Sequence, residues 1–104
     1  MRFVIEVRIP MDTGNAAIRD GSLPAKVAAI MEDLKPEAAY FSAMGDGFRG
    51  GFFVVNIDDA SQIPAIAEPF FLAFNATTKF YPVMVVEDLM AAGPAIGAAV
   101  QKYG

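Results

Sequence analysis

The chain has 104 residues, a formal net charge of −4, and neither cysteine nor histidine. These two absences exclude disulfides, thiolate metal sites and haem ligation through an axial histidine, and they remove the commonest general base. The eight Lys and Arg residues are scattered along the chain, so nucleic-acid binding through phosphate contacts is not expected. No apolar run reaches the ~18 residues of a spanning helix, so no membrane is expected as a partner.

The N-terminal segment alternates apolar and polar residues, which predicts a strand over residues 1–9 that Pro10 ends. Because this alternation starts at once, unlike a signal peptide, we expect a cytoplasmic protein. Residues 11–21 predict a long connection with Asn and Asp turn chemistry, in which residues 16–19 can form one helical turn.

A helix and a hairpin follow this connection. Ser22 is an N-cap candidate, and apolar residues at helical spacing continue to Leu34. Residues 38–44 predict a second strand, residues 45–51 a glycine-rich turn, and residues 52–57 a third strand. This turn lacks the Lys-Ser/Thr of a P-loop and joins two strands, so we interpret it as a hairpin turn and not as a phosphate cradle.

The last part of the chain predicts a second helix, a fourth strand and an extra C-terminal helix. The second helix follows Ser61, and Pro69 inside it predicts a kink or a break. Residues 77–86 predict the fourth strand, which Pro82 places at a sheet edge or a bulge. Residues 94–103 predict the short C-terminal helix.

This order of elements, β-α-β-β-α-β, indicates one α+β domain over residues 1–104, with a ferredoxin-like antiparallel sheet of strand order 4-1-3-2. Both crossover helices then cover the same face. The other face carries Val4, Phe52 and Val54, and 55% of the chain is apolar. Since a face this apolar is poorly suited to water, we expect a homodimer in which two sheets pack face to face as a dimeric α+β barrel.

The run from Arg49 to Ala60, RGGFFVVNIDDA, resembles the third-strand signature of short bacterial proteins in the dimeric α+β barrel superfamily. Residues 81–84, followed by residues 87–89, are similar to the fourth strand of the same group. That group is a family of unknown function, so the resemblance implies a fold and no reaction. The wider superfamily includes cofactor-free monooxygenases, muconolactone isomerase-like proteins and haem-handling enzymes, whose usual site lies between sheet and helices or inside the barrel. This sequence lacks the His-Asp pair of one branch.

The candidate catalytic residues are Glu6, Arg8 and Tyr40. Glu6 and Arg8 are two apart on a strand, so both point to one face, and Tyr40 shares that face from the second strand. In an apolar barrel Glu6 is a candidate general base or acid, and Arg8 can hold an anion or an oxyanion. Tyr40 can donate a hydrogen bond to a carbonyl. The alternative is that Glu6 and Arg8 form a structural ion pair.

Five further residues are candidates for ligand binding. Ser42 and Asn56 share the face of Glu6, and Phe52 contributes apolar surface there. Arg49 lies in the glycine-rich segment, from which it can reach a partner subunit. Asn15 is a candidate because it lies in the connection after the first strand, and loops held by a rigid scaffold often carry function. The acidic residues lack calcium-loop spacing, so the sequence predicts no metal and no cofactor.

Three functions are compatible with this sequence. The first is a cofactor-independent enzyme acting on a hydrophobic carbonyl or enol compound. The second is a module that binds a small apolar ligand or a partner protein without catalysis. The third is a structural dimer whose barrel is filled by its own side chains. A solvent-open cavity that includes Glu6 favours the first, and a roomy apolar cavity without charged groups favours the second.

Overall fold

The alternating strands form a single four-stranded antiparallel sheet in the computed structural model, which describes residues 1–104. Its strand order is β2-β3-β1-β4, which confirms the predicted ferredoxin-like order. In chain order the elements are β1 (Arg2–Pro10), α1 (Met11–Arg19), α2 (Leu23–Leu34), β2 (Ala38–Gly45), β3 (Phe48–Asn56), α3 (Gln62–Phe74), β4 (Thr77–Pro82), α4 (Val86–Ala91) and α5 (Gly93–Tyr103). None of these helices combines the length and the apolar character needed to cross a membrane.

The core lies between the sheet and the helices that cover one of its faces. Alternate residues of β1 and β3 point into it, as the period of two requires. Phe53 stacks on Phe70 of α3, with ring centroids 5.3 Å apart. No polar or charged residue is buried. The core cluster consists of Ile5, Val7, Ile9, Ile30, Phe53, Val55, Ile57, Phe70, Phe74 and Ala76.

The segment after β1 is a helix, and its interpretation as a loop was wrong. α1 starts directly after Pro10, and its first backbone N–H, on Met11, donates to the carbonyl oxygen of Gly47 at 3.0 Å. Gly14 and Ala17 are buried. The glycine that suggested a turn is instead the small residue that lets α1 lie close to the sheet.

The third strand begins earlier than predicted, because the glycine-rich segment is mostly strand. Phe48 to Gly51 pair with β1, opposite Pro10 to Val7. A Cβ on Gly50 would lie 1.8 Å from the carbonyl oxygen of Val7. Glycine is therefore required here by the close approach of a neighbouring strand, not by a turn. The turn itself is confined to residues 46–47, where Asp46 and Gly47 have φ of 53° and 82°.

Of the kink or break predicted at Pro69, the break does not occur, because α3 is continuous from Gln62 to Phe74. The segment around Pro69 stays helical since it buries Ala67, Phe70 and Phe74 against the sheet. β4 ends at Pro82, four residues short of its predicted end, and lies at a sheet edge as predicted.

The residues after β4, here called the C-terminal arm (residues 83–104), contain two helices, one more than the sequence predicted. Neither helix contains a buried residue. The molecule measures 59 × 28 × 21 Å, and its radius of gyration is 17.4 Å, against about 13 Å for an ordinary domain of this length. The arm thus leaves the body formed by the sheet and α1 to α3 instead of packing on it.

Candidate functional site

The two faces of the sheet offer two separate candidate sites. One is covered by α1, α2 and α3. The other, here called the open face, has no element over it. Because directly paired residues of neighbouring strands point the same way, the register assigns its members. They include Val4, Glu6, Arg8, Ala38, Tyr40, Ser42, Phe52, Val54, Asn56, Lys79 and Tyr81.

Glu6 and Arg8 form an ion pair on the open face, with 3.5 Å between Glu6 Oε2 and Arg8 Nε. The arginine carbon Cζ also lies 5.5 Å from the centre of the Phe48 ring. The Glu6 side chain is only 15% exposed, since Phe52 and Lys79 flank it across the neighbouring strands. The arrangement matches the structural ion pair considered for these residues.

Among the other predicted residues of the open face, Phe52 flanks Glu6, but Tyr40, Ser42 and Asn56 do not gather around it. Tyr40 is opposite Phe52, which is opposite Glu6, so one strand separates the two side chains by about 10 Å. Ser42 is one strand from Arg8, across the bare backbone of Gly50. Asn56 Oδ1 accepts a hydrogen bond from the N-terminal ammonium at 2.8 Å, which ties the chain terminus to β3.

The helix-covered face contains a cavity of about 490 Å³. It is walled by β1, β3 and the apolar sides of α2 and α3, and exposed side chains of Met11 and Phe41 stand at its edge. Most of its lining is apolar. The lining residues are Val7, Ile9, Met11, Leu23, Val27, Ile30, Met31, Phe41, Ser42, Ala43, Arg49, Gly50, Gly51, Phe53, Phe70 and Phe74.

Arg49 is the single charged residue in this lining. Its Nη2 donates to Asn15 Oδ1 and to the sulfur of Met11, the latter at 3.3 Å. Its Nε is buried and has no acceptor. Neither ion pair of the protein includes Arg49. The cavity therefore holds a half-buried guanidinium that no carboxylate neutralises.

Local structure on both sides of Arg49 fixes its position. Alternation along β3 puts Arg49 on the same side as Gly51 and Phe53. The start of α1 then brings Asn15 above it. A Cβ on Gly14 would lie 2.7 Å from both Cδ and Nε of Arg49, so a side chain at this position would displace the arginine stem. Arg49 and Asn15, predicted for separate reasons, are thus in direct contact.

Several lining residues were missed in the sequence, and the signals that point to them differ. Phe41 lies between Tyr40 and Ser42, so the alternation that assigns those two to the open face also assigns Phe41 to the helix side. Its ring packs edge-on against Phe53, with centroids 5.7 Å apart. No comparable signal identifies Met11, because its position depends on α1 starting directly at the end of β1.

The cavity lining sets limits on its chemistry. It contains no carboxylate, no tyrosine and no lysine, and strand register assigns the side chain of its one serine, Ser42, to the open face. It can hold an apolar body and place one anionic oxygen group beside a guanidinium. No group of three or more Asp and Glu residues is arranged to hold a metal ion.

These features define the protein as a ferredoxin-like α+β domain with an apolar cavity between its sheet and its helices. Within that class the chain belongs to the DUF3303 family, a domain of unknown function, whose profile matches residues 1–97. None of the curated proteins matches the sequence. The family match extends through the body and into the C-terminal arm.

Proposed function

We propose that this protein binds a small apolar molecule with one carboxylate or enolate group, and that the cavity on the helix-covered face is the site. The observation that carries the proposal is the guanidinium of Arg49, which stands in an otherwise apolar cavity without a counter-ion. A half-buried charge is costly unless an opposite charge or hydrogen-bond acceptors compensate it. An anionic ligand group supplies both.

The volume of the cavity supports a ligand of modest size. A cavity of about 490 Å³ lies within the roughly 300–1,000 Å³ of small-molecule sites. Such sites combine mainly apolar walls with a few polar groups that orient the ligand, and here Arg49 has that role. The ligand's apolar part packs between Leu23, Val27 and Phe53, while its anionic group faces Arg49.

A second candidate function is cofactor-independent conversion of a hydrophobic carbonyl or enol compound on the open face. It is favoured by the low exposure of the Glu6 side chain, which is 15% although no element covers that face. It requires the proposed homodimer, in which the open faces of two copies enclose Glu6, Arg8 and Tyr40. In that enclosure Glu6 is the base and Arg8 stabilises the developing negative charge.

Calorimetric titration with octanoate and with the neutral analogue 1-octanol tests the first proposal. We expect octanoate to bind the wild-type protein, and Arg49→Met to weaken that binding at least tenfold, about 1.4 kcal/mol. The binding of 1-octanol depends little on Arg49, because the alcohol has no charge to pair.

The matched control is Arg8→Met, which removes a cation from the neighbouring strand on the opposite face of the same sheet. It leaves octanoate binding unchanged if the cavity is the site. Equal effects of Arg49→Met and Arg8→Met, or no binding of octanoate to the wild type, contradict the proposal. If only Arg8→Met weakens octanoate binding, the binding site is on the open face and not in the cavity. Circular dichroism shows whether each variant is folded.

A further inference from the structure

The C-terminal arm exposes an unusual number of apolar side chains. Met90 and Tyr103 are 73% and 79% exposed, and Ile96 and Val100 on α5 are at least half exposed. Ile96 and Val100 are four residues apart, so they lie on one side of their helix. This apolar surface has no partner within its own chain, since no residue of α4 or α5 is buried.

The arm is nevertheless regular in structure. The Asp88 carboxylate accepts a hydrogen bond from the backbone N–H of Val85 at 3.1 Å, at the start of α4. The N–H of Ala92 donates to carbonyl oxygens of α4, and the carbonyl oxygen of Ala92 accepts from Ile96 in α5. Isolated helices shorter than ~12–15 residues are only marginally stable in water. An 11-residue α5 therefore needs something to pack against.

The exposed area indicates how large that partner surface is. The chain exposes 6839 Å², whereas a folded monomer of 11.1 kDa exposes about 5,700 Å². The excess, about 1,100 Å², is comparable to the roughly 800 Å² that each partner contributes to a standard protein interface. An excess area of this size fits a dimer in which the partner molecule covers the arm.

The position of the arm connects it with the open face. Tyr81 lies on that face at the end of β4, opposite Val4. The arm starts immediately beyond it, where the N–H of Val83 donates to the carbonyl oxygen of Arg2 at 3.1 Å. Two copies that pack open face to open face therefore bring each arm to the margin of the partner.

We infer that the C-terminal arm of each protein molecule packs against a second copy, extending the interface between the open faces. Charge favours this occupant over others. The arm carries Glu87, Asp88 and Lys102 as its charged residues, so it has no basic side that would attract an anionic lipid surface or a nucleic acid. The inference goes beyond the proposed ligand binding and does not depend on it.

The double substitution Ile96→Asp with Val100→Asp tests this inference by sedimentation velocity at micromolar concentration. Both side chains are exposed in the single chain, so the change spares the body. We expect a dimeric wild type, and for the variant at least a tenfold increase in the dissociation constant of the dimer. The matched control is Leu72→Asp on α3, where an apolar side chain is 83% exposed outside the arm. This variant stays dimeric.

Amide hydrogen exchange over residues 86–103 shows whether the arm itself, and not only the open face, takes part in the dimer. Protection in the wild-type dimer that is lost in the double variant supports the inference. A monomeric wild type overturns it, as does a double variant that dimerises like the wild type. Protection of the arm in a monomer also overturns it, because the arm then folds back on its own chain. Octanoate titration of the same variants tests the cavity separately.

Discussion

The two faces of the sheet are built from the same strands and differ in what covers them. On the helix-covered face Phe53 is 2% exposed, whereas its neighbour Phe52 on the open face is half-buried. Val7 is fully buried beside Glu6, which pairs with Arg8. Strand alternation alone thus sorts residues into two sets, but only the covering helices make one set a core. The open face mixes apolar side chains with the Glu6–Arg8 ion pair.

The adjacent residues Phe53 and Phe52 give the most direct test of this difference. Phe53→Ala removes a ring that packs on Phe41 and Phe70 in the core, and we expect it to lower the free energy of unfolding by about 3–5 kcal/mol. Phe52→Ala removes a half-buried ring, with an expected loss of about 1 kcal/mol in the monomer. Urea denaturation measures both values.

Repeating the Phe52→Ala measurement at several protein concentrations tests whether the open face is an interface. If the open face is an interface, this variant also weakens association, and the concentration dependence of its unfolding decreases relative to wild type. Equal losses for the two substitutions contradict the assignment of one face as core and the other as surface.

Much of this fold is predictable from local sequence, and the exceptions have a common cause. The period of two in β1 and the apolar spacing up to Leu34 predicted the sheet, α2 and the strand order. Gly14 and Gly50 led to wrong predictions, because a glycine considered without its tertiary contacts indicates a turn or the end of an element. In the structure each glycine instead makes space for another segment, Gly14 for the side chain of Arg49 and Gly50 for the backbone of Val7. A single sequence does not contain that tertiary reason.

The candidate site also contains residues whose positions were predictable from the sequence and residues whose contacts were not. Arg49 and Asn15 were both predicted to bind a ligand, yet their contact depends on α1 lying across β3, which no local pattern indicates. Glu6 and Arg8 were predicted to share a face because strand alternation requires it, and their 3.5 Å separation agrees. Residues related through one strand are therefore predictable, whereas residues brought together by a helix position are not.

Alanine in place of glycine tests how strongly close backbone approach constrains the sheet. Gly50→Ala puts a methyl group 1.8 Å from the carbonyl oxygen of Val7, and the strands must separate to admit it. We expect a loss of about 1–3 kcal/mol in the free energy of unfolding. Gly97→Ala in α5 is the matched control, because nothing lies within 4 Å of the new Cβ.

In α5 the same substitution raises helix stability by up to about 1 kcal/mol, since alanine is the better helix former. Thermal unfolding followed by circular dichroism compares the two variants. A Gly50→Ala protein as stable as wild type shows that the β1–β3 pairing tolerates a side chain at this position. It also removes the physical reason for glycine at position 50.

The smallest expected effect concerns the start of α3, which covers the core face. The backbone N–H of Ser61 donates to the Asp59 carboxylate at 2.8 Å, and this hydrogen bond lowers the pKa of Asp59 below its usual 3.8. A lowered pKa means that the unfolded chain binds the proton more tightly. The stabilisation by Asp59 is therefore complete above pH 3.8 and is lost as the pH falls through the folded-state pKa.

Asp59→Asn keeps an oxygen that accepts from Ser61 but carries no charge, so it isolates the titration. At neutral pH we expect the variant to be slightly less stable than wild type, by a small amount because Asp59 is exposed and solvent screens it. The difference closes as the pH falls below 3.8, since wild-type Asp59 is then protonated as well. Parallel curves of unfolding free energy against pH contradict this assignment. Such curves mean that the negative charge of Asp59 does not stabilise the start of α3.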